Sequence, residues 1–192
     1  MKKPVCWLPL LSICLTVLTA GTHGQGEAAS YPPTATLDEI RELLDQVPRE
    51  HPRLLADKGR LDVVRESRKQ DPLRKALSDA VVKQAQLMWD PEPVDRELQG
   101  RRLLGKSRLC LKRVTWLAMA FHLTGDQRHA RRCEEEMLAV ASFSDWNPSH
   151  FLDVAEMTLA LSIGYDWLFD ELGEESKGRI RDAIINKGVA LQ

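Results

Sequence analysis

Two glycine turns spaced 48 residues apart constrain this chain more than any other feature. Thr124-Gly125-Asp126 and Leu172-Gly173-Glu174 each separate two runs whose apolar residues recur at helical intervals. Glycine ends such a run because it tolerates the left-handed backbone that closes a helix. The acid that follows is suited to opening the next helix. A period of this length is that of stacked helix pairs. In each pair the first helix is the more apolar: about Ser107 to Leu123 carries Leu109, Val114, Leu117, Ala118, Phe121 and Leu123, and Ser149 to about Leu172 is richer still. No alternating run is long enough for a sheet. The expected class is therefore all-α, with helical hairpins in an inner and an outer layer. An open solenoid and a ring of hairpins, an (α/α) toroid, both satisfy this pattern. With roughly three hairpins a ring would be incomplete.

The earlier part of the chain also reads as helices. Thr36 with Glu39 is a capping box ahead of Ile40, Leu43 and Leu44, and Pro48 closes that helix. His51-Pro52-Arg53-Leu54-Leu55 reads as an extended link, because a residue before proline avoids the helical region. Asp57 caps a helix reaching about Gln70. Asp71 caps another with Pro72 at its first position, and the apolar stripe of that helix reads Leu73, Leu77, Val81, Ala85 and Met88. Residues 90–105 are a break, with Asp90-Pro91-Glu92-Pro93 followed by a polar stretch holding Gly100 and Gly105. After Gly125, Asp126 opens a helix to about Val140. Glu174-Glu175 open the last one, to about Gly188.

The N-terminus reads as an export signal: Lys2 and Lys3, then an apolar run from Val5 to Leu18, then small residues. That run is short for a bilayer span and fits a signal sequence, so a retained anchor is the competing reading. Cleavage near Gly24 gives residues 1–24 as signal, 25–35 as a Pro/Gly/Ala/Ser leader, and 36–192 as the helical domain. The implied location is the periplasm or the exterior, with no stable membrane anchor. Without Lys2 and Lys3 the chain carries 25 basic against 28 acidic residues, which argues against a nucleic-acid partner. Cys110 and Cys133 remain in helical patterns, where buried free thiols compete with an exported disulfide. No spacing fits a metal site, and the residues leave a cofactor requirement open.

The polar residues that carry chemistry gather at Asp145 to Met157. Trp146 offers an aromatic face, and Asn147, His150 and Asp153 offer the donors and acceptors that sugar hydroxyls need. His150, Asp153 and Met157 fall near one helical face, and a carboxylate three residues after a histidine can orient it. The competing reading is that His150 caps the helix. Asp166, inside an apolar run beside Trp167, needs a partner if buried, and an arginine of a neighbouring helix is the expected one. Arg101, Arg102, Lys106, Arg108, Lys112 and Arg113 form a basic cluster that suits an anionic substrate, although a solvated helix start is the favoured reading. Arg128, Arg131 and Arg132 with Glu134, Glu135 and Glu136 read as a surface of mixed charge. The candidate substrate-binding residues are thus Trp146, Asn147, His150, Asp153 and Arg108. No complete catalytic set is visible.

Three segments in order carry a resemblance: His51-Pro52-Arg53-Leu54-Leu55, the helix Ser107 to Asp126 with its Leu-Thr-Gly-Asp turn, and Asp145 through Leu168. The most specific part is Trp146-Asn147-Pro148-Ser149-His150-Phe151-Leu152-Asp153 with Gly164-Tyr165-Asp166-Trp167-Leu168. Together they resemble the N-terminal helical domain of heparinase II/III-like polysaccharide lyases, over residues 50 to 190 or so. The resemblance implies part of an (α/α) toroid, followed in the family by an antiparallel β-sandwich. It implies β-elimination at a uronic acid within an acidic polysaccharide of the heparan or alginate type. The family's catalytic tyrosine and histidines lie later in its pattern than the residues matched here. Tyr31 and Tyr165, the two tyrosines of this chain, do not match that position. No catalytic role is therefore carried over, and the chain reads as the first, inactive part of such a lyase. A helical-repeat module that binds a glycan or protein is the alternative.

Overall fold

A computed structural model describes residues 35–190. The export signal and nearly all of the leader lie outside the described residues. Among those described there are seven α-helices, one π-helical turn and no strand; an isolated bridge joins Gln99 and Arg102. The all-α class holds. Two units are distinguished, divided after Gln46.

The described part of the first unit is α1, Leu37–Asp45. The Thr36 hydroxyl accepts from the Glu39 amide at 3.2 Å while the Glu39 carboxylate accepts from the Thr36 amide at 2.7 Å. Two donors at the helix start, left unpaired by helix geometry, are thereby satisfied.

The second unit contains α2 (Lys58–Ser67), α3 (Pro72–Gln86), α4 (Leu104–Thr124), α5 (Gln127–Ala141), α6 (Phe151–Trp167), α7 (Glu174–Ala183) and a π-helical turn, Ile184–Val189. Asp57, Asp71 and Asp126 each accept a backbone N–H of their own first turn. Gly125 ends α4 at φ 73°, and its N–H donates to the Phe121 carbonyl at 2.7 Å. These starts and stops follow from local side-chain chemistry alone.

Packing then sorts the helices. The most extensive pairing is α4 with α6; α3 and α5 also lie on α4, and α7 lies on α5. Cys110, Val114 and Leu117 of α4 are fully buried, as are Met157, Ala160 and Leu161 of α6. On α5 the buried set Ala130, Cys133, Met137 and Val140 recurs at spacings of three and four, the single apolar stripe of a helix covered on one side. The two helices that read as most apolar are the ones the others pack around. Gly164 sits where α4, α5 and α6 meet: a Cβ there would lie 2.6 Å from Val114 Cγ1 and closer still to Met137 Sδ.

Two details differ from the sequence reading. Leu73 and Leu77 are exposed, and α3 instead buries Ser78 and Ala85. The stripe holds at Ala85 and Met88, where α3 runs into the core, and not at its N-terminal end. The sixth helix ends at Trp167 rather than near Leu172; residues 168–172 form turns that carry Phe169 onto the 51–54 segment.

Candidate functional site

His51, expected only to lie in an extended link, is bound to the far end of α6. Its Nδ1 lies 2.6 Å from Asp166 Oδ1, while the backbone amides of Arg53 and Leu54 donate to Asp166 Oδ2 at 2.8 and 2.7 Å. The adjacent indole returns the contact: Trp167 Nε1 donates to the Leu54 carbonyl at 2.8 Å. The imidazole stacks on Phe169, centroids 3.9 Å apart and planes 14° apart, and meets Tyr165 edge-on. The His51-Pro52 peptide bond is cis. Asp166 is 2 % exposed, so its charge is tolerable only because three donors surround it. The expected arginine partner is replaced by a histidine and two main-chain amides; the Arg53 guanidinium turns instead to the Pro48 carbonyl at 3.1 Å. The chain bends at Leu54 and forms no helix there, so the amides of Arg53 and Leu54 are free of any ladder and both reach one carboxylate.

This clamp forms one wall of a groove of about 230 Å³ whose other lining includes Lys58, Arg65, Phe121 and His122. Asp62 also lines it, held by Lys58 Nζ at 3.0 Å and Arg65 Nη2 at 2.7 Å, and the Lys58 hydrogen bond first of all keeps its carboxyl below the usual range. His122 Nε2 donates to the Trp167 carbonyl at 2.7 Å; burial lowers its pKa, so the neutral ring is favoured. The groove therefore combines aromatic rims with the imidazoles of His51 and His122 and with two cations that Asp62 already pairs. Asp170 and Glu171 also line it, so its charge is mixed. Tyr165 does not line it.

The stretch Asp145 to Asp153 is folded inward. Trp146 is fully buried, and its indole N–H donates to the Val140 carbonyl at 3.1 Å. Its ring is therefore part of the core and presents no face to a ligand. Asn147 takes a left-handed backbone at φ 61°, a conformation asparagine tolerates better than most residues. Its Nδ2 donates to the Arg101 carbonyl at 2.9 Å and to Asp153 Oδ2 at 2.6 Å. The same Asp153 oxygen accepts the Leu103 amide at 2.7 Å. Asp153 is fully buried; its Oδ1 has no partner among the described residues. The pairing of His150 with Asp153 expected from their spacing does not form, because the carboxylate turns to the start of α4. His150 occupies the N-cap position of α6 with its ring beside Ser149 Oγ at 3.1 Å, partly exposed. The Trp-Asn-Pro-Ser-His-Phe-Leu-Asp stretch thus ties the entry of α6 to the entry of α4.

Arg108 is exposed and paired with Glu156 at 3.1 Å. Lys106 lies between Asp95 and Glu97, and Arg113 reaches Glu136. Arg101, Arg102 and Lys112 are exposed. Half of the basic cluster is therefore already neutralised. Glu136 and Arg132, expected on a surface of mixed charge, are instead buried: Arg113 and Arg132 hold Glu136 Oε2 at 3.1 and 2.9 Å, and the Val94 amide donates to its Oε1 at 3.0 Å. Glu136 anchors the 90–105 break onto α5. Cys110 and Cys133 are both free and buried, and burial is the main cause raising both thiols above their ordinary pKa.

Among the described residues no cluster of histidine, cysteine and acid side chains is arranged to hold a metal, and no helix is long and apolar enough to cross a membrane. Compared with protein-family models and with curated proteins, the chain matches none.

Proposed function

We propose that this chain is the N-terminal helical portion of an exported polysaccharide lyase that cleaves a uronic-acid-containing acidic polysaccharide by β-elimination. One observation carries the reading. The segments that bear the likeness to heparinase II/III-like lyases, far apart in sequence, are the ones that interlock: His51 to Leu54 on Asp166-Trp167, and His122 of α4 on the Trp167 carbonyl. Their residue types match the jobs they do in this fold, which supports a shared helical scaffold rather than a chance pattern. Function follows from that scaffold by analogy, since a fold hosts many chemistries. An incomplete (α/α) toroid belongs to the same proposal, as does export to the periplasm or beyond.

The reaction asks for three things: neutralisation of the uronate carboxylate, a base that takes the C5 proton, and an acid that protonates the departing glycosidic oxygen. The electron pair from the C–H bond becomes the new double bond as the C–O bond breaks. Within residues 35–190, His51 Nδ1 is committed to Asp166, His122 Nε2 to a carbonyl and Tyr165 to an aromatic edge contact, so no tyrosine–histidine pair faces a common cleft. The 192-residue chain by itself is therefore expected to be inactive. Incubation with heparan sulfate and with alginate, following absorbance of the unsaturated product, tests this. Turnover by this chain alone overturns the claim that its site is incomplete. Absence of binding to either polymer counts against an acidic-polysaccharide substrate.

A glycan- or protein-binding helical module is the second reading. It is favoured by the single buried core that runs from Ala85 to Ala183, which gives the second unit the makings of an independently stable domain.

A further inference from the structure

Away from the groove at His51, Trp89 with Arg128, Arg131, Arg132 and Glu135 lines a cleft of about 220 Å³. Drug-sized pockets begin near ~300 Å³, so this one has room for a charged group and one small ring, not for an extended chain. Its aromatic floor is fixed. Trp89 Nε1 donates to His129 Nδ1 at 3.1 Å, and burial lowers the His129 pKa, which favours the neutral acceptor. The Arg128 guanidinium lies 4.2 Å from the indole centroid and is held there by Asp126 at 2.6 Å.

The other two arginines are incompletely used. Arg132 is 5 % exposed; its Nη2 donates to Glu136 Oε2 at 2.9 Å and to the Pro91 carbonyl at 2.8 Å, while its Nη1 is buried with no partner among the described residues. A buried guanidinium nitrogen left unpaired is costly and calls for an acceptor. Arg131 is exposed and, among the described residues, makes no ion pair, in contrast to its neighbours. The one carboxylate lining the cleft, Glu135, approaches Arg132 Nε only to 4.0 Å.

We propose that this cleft binds an oxyanion, a carboxylate or sulfate, with the exposed Arg131 as the donor that meets it, the buried Arg132 guanidinium as a second positive charge behind it, and Trp89, one face of which Arg128 covers, beside any ring that carries it. Guanidinium forks match such groups bidentately, and a rigid aromatic beside them takes a sugar face or edge. The site is separate from the lyase reading and does not depend on it: a free inorganic anion and an acidic sugar present the same chemistry.

Tryptophan fluorescence of the full chain tests it, titrated in one arm with inorganic sulfate and in the other with a uronic-acid disaccharide, at ionic strength matched with chloride. The chain has 5 tryptophans, so Trp89→Phe identifies the reporter. The expected result is a saturable change with at least one probe, absent in Trp89→Phe. Arg131→Ala should weaken it about tenfold or more, the loss of one charge-assisted bidentate contact, and Arg131→Lys should fall between, since a point charge keeps attraction without the fork. Arg131 is exposed, so these variants keep their fold, which circular dichroism checks. Response to sulfate alone assigns the site to a free anion, and response to the disaccharide alone to a sugar-borne one; both uphold the oxyanion site. No saturable response to either probe, or an undiminished response in Arg131→Ala, overturns it.

Discussion

Asp166 concentrates more of the fold than its size suggests, because one buried carboxylate holds the imidazole of His51 and two successive main-chain amides. Replacing it by alanine leaves those amides without an acceptor and the ring without its partner. Three donors left without their acceptor, at about 1–3 kcal/mol for a fully buried one, put the loss at about 3–5 kcal/mol, whereas His51→Ala, which leaves the two amides bonded, should cost about 1–3 kcal/mol. Urea denaturation of both variants checks the order; equal losses would mean that the main-chain amides contribute little. The need for a partner was legible in the sequence, since a carboxylate in an apolar run must be satisfied. Its identity was not. The partner lies 115 residues away in a segment without periodicity, and an amide donor carries no side-chain signal. Trp146 illustrates the opposite error. An aromatic among polar neighbours suits a sugar surface and a hairpin core equally, and only the path of the chain after Val140 decides that it is buried.

Among the elements, helix starts were readable wherever a single side chain makes them. Thr36, Asp57, Asp71 and Asp126 cap as their types dictate, and Gly125 closes α4 with the positive φ that glycine permits. The end of α6 and the buried face of α3 depend on what packs beside them, so neither is local. Gly164 makes the same point inside a helix. Alanine is favoured over glycine in a helix interior by about 1 kcal/mol, and on propensity alone Gly164→Ala should stabilise α6. Here the new methyl would meet Val114 Cγ1 at 2.6 Å, on a branched side chain with little freedom to move. Overpacking of this kind costs about 1–3 kcal/mol, which exceeds the propensity gain. A lowered thermal midpoint is therefore expected, and Val114→Ala in the same chain should recover part of it. An unchanged or raised midpoint would show that α4 and α6 separate more easily than their pairing implies.

For the molecule, the question is whether α3 to α7 open together. Cys110 on α4 and Cys133 on α5 are fully buried in one core that also takes in Ala85 of α3 and Ile180 of α7. Burial holds both thiols above their ordinary pKa, so neither offers a reactive thiolate while the core is closed. A chain carrying Cys6→Ser and Cys14→Ser reports on these two sites alone. Its labelling by a thiol reagent should be negligible in buffer and should rise with urea in parallel with the loss of helical signal, because reaction then requires global unfolding. Both cysteines should label at one rate if the hairpins form a single cooperative unit. Faster labelling of Cys133 at low urea would mean that α5 leaves α4 before the rest unfolds, the behaviour of stacked repeats held by nearest-neighbour contacts. A single rate supports a domain able to stand alone, as a binding module must. Separate rates support a scaffold that depends on further polypeptide for its stability, as the lyase reading implies.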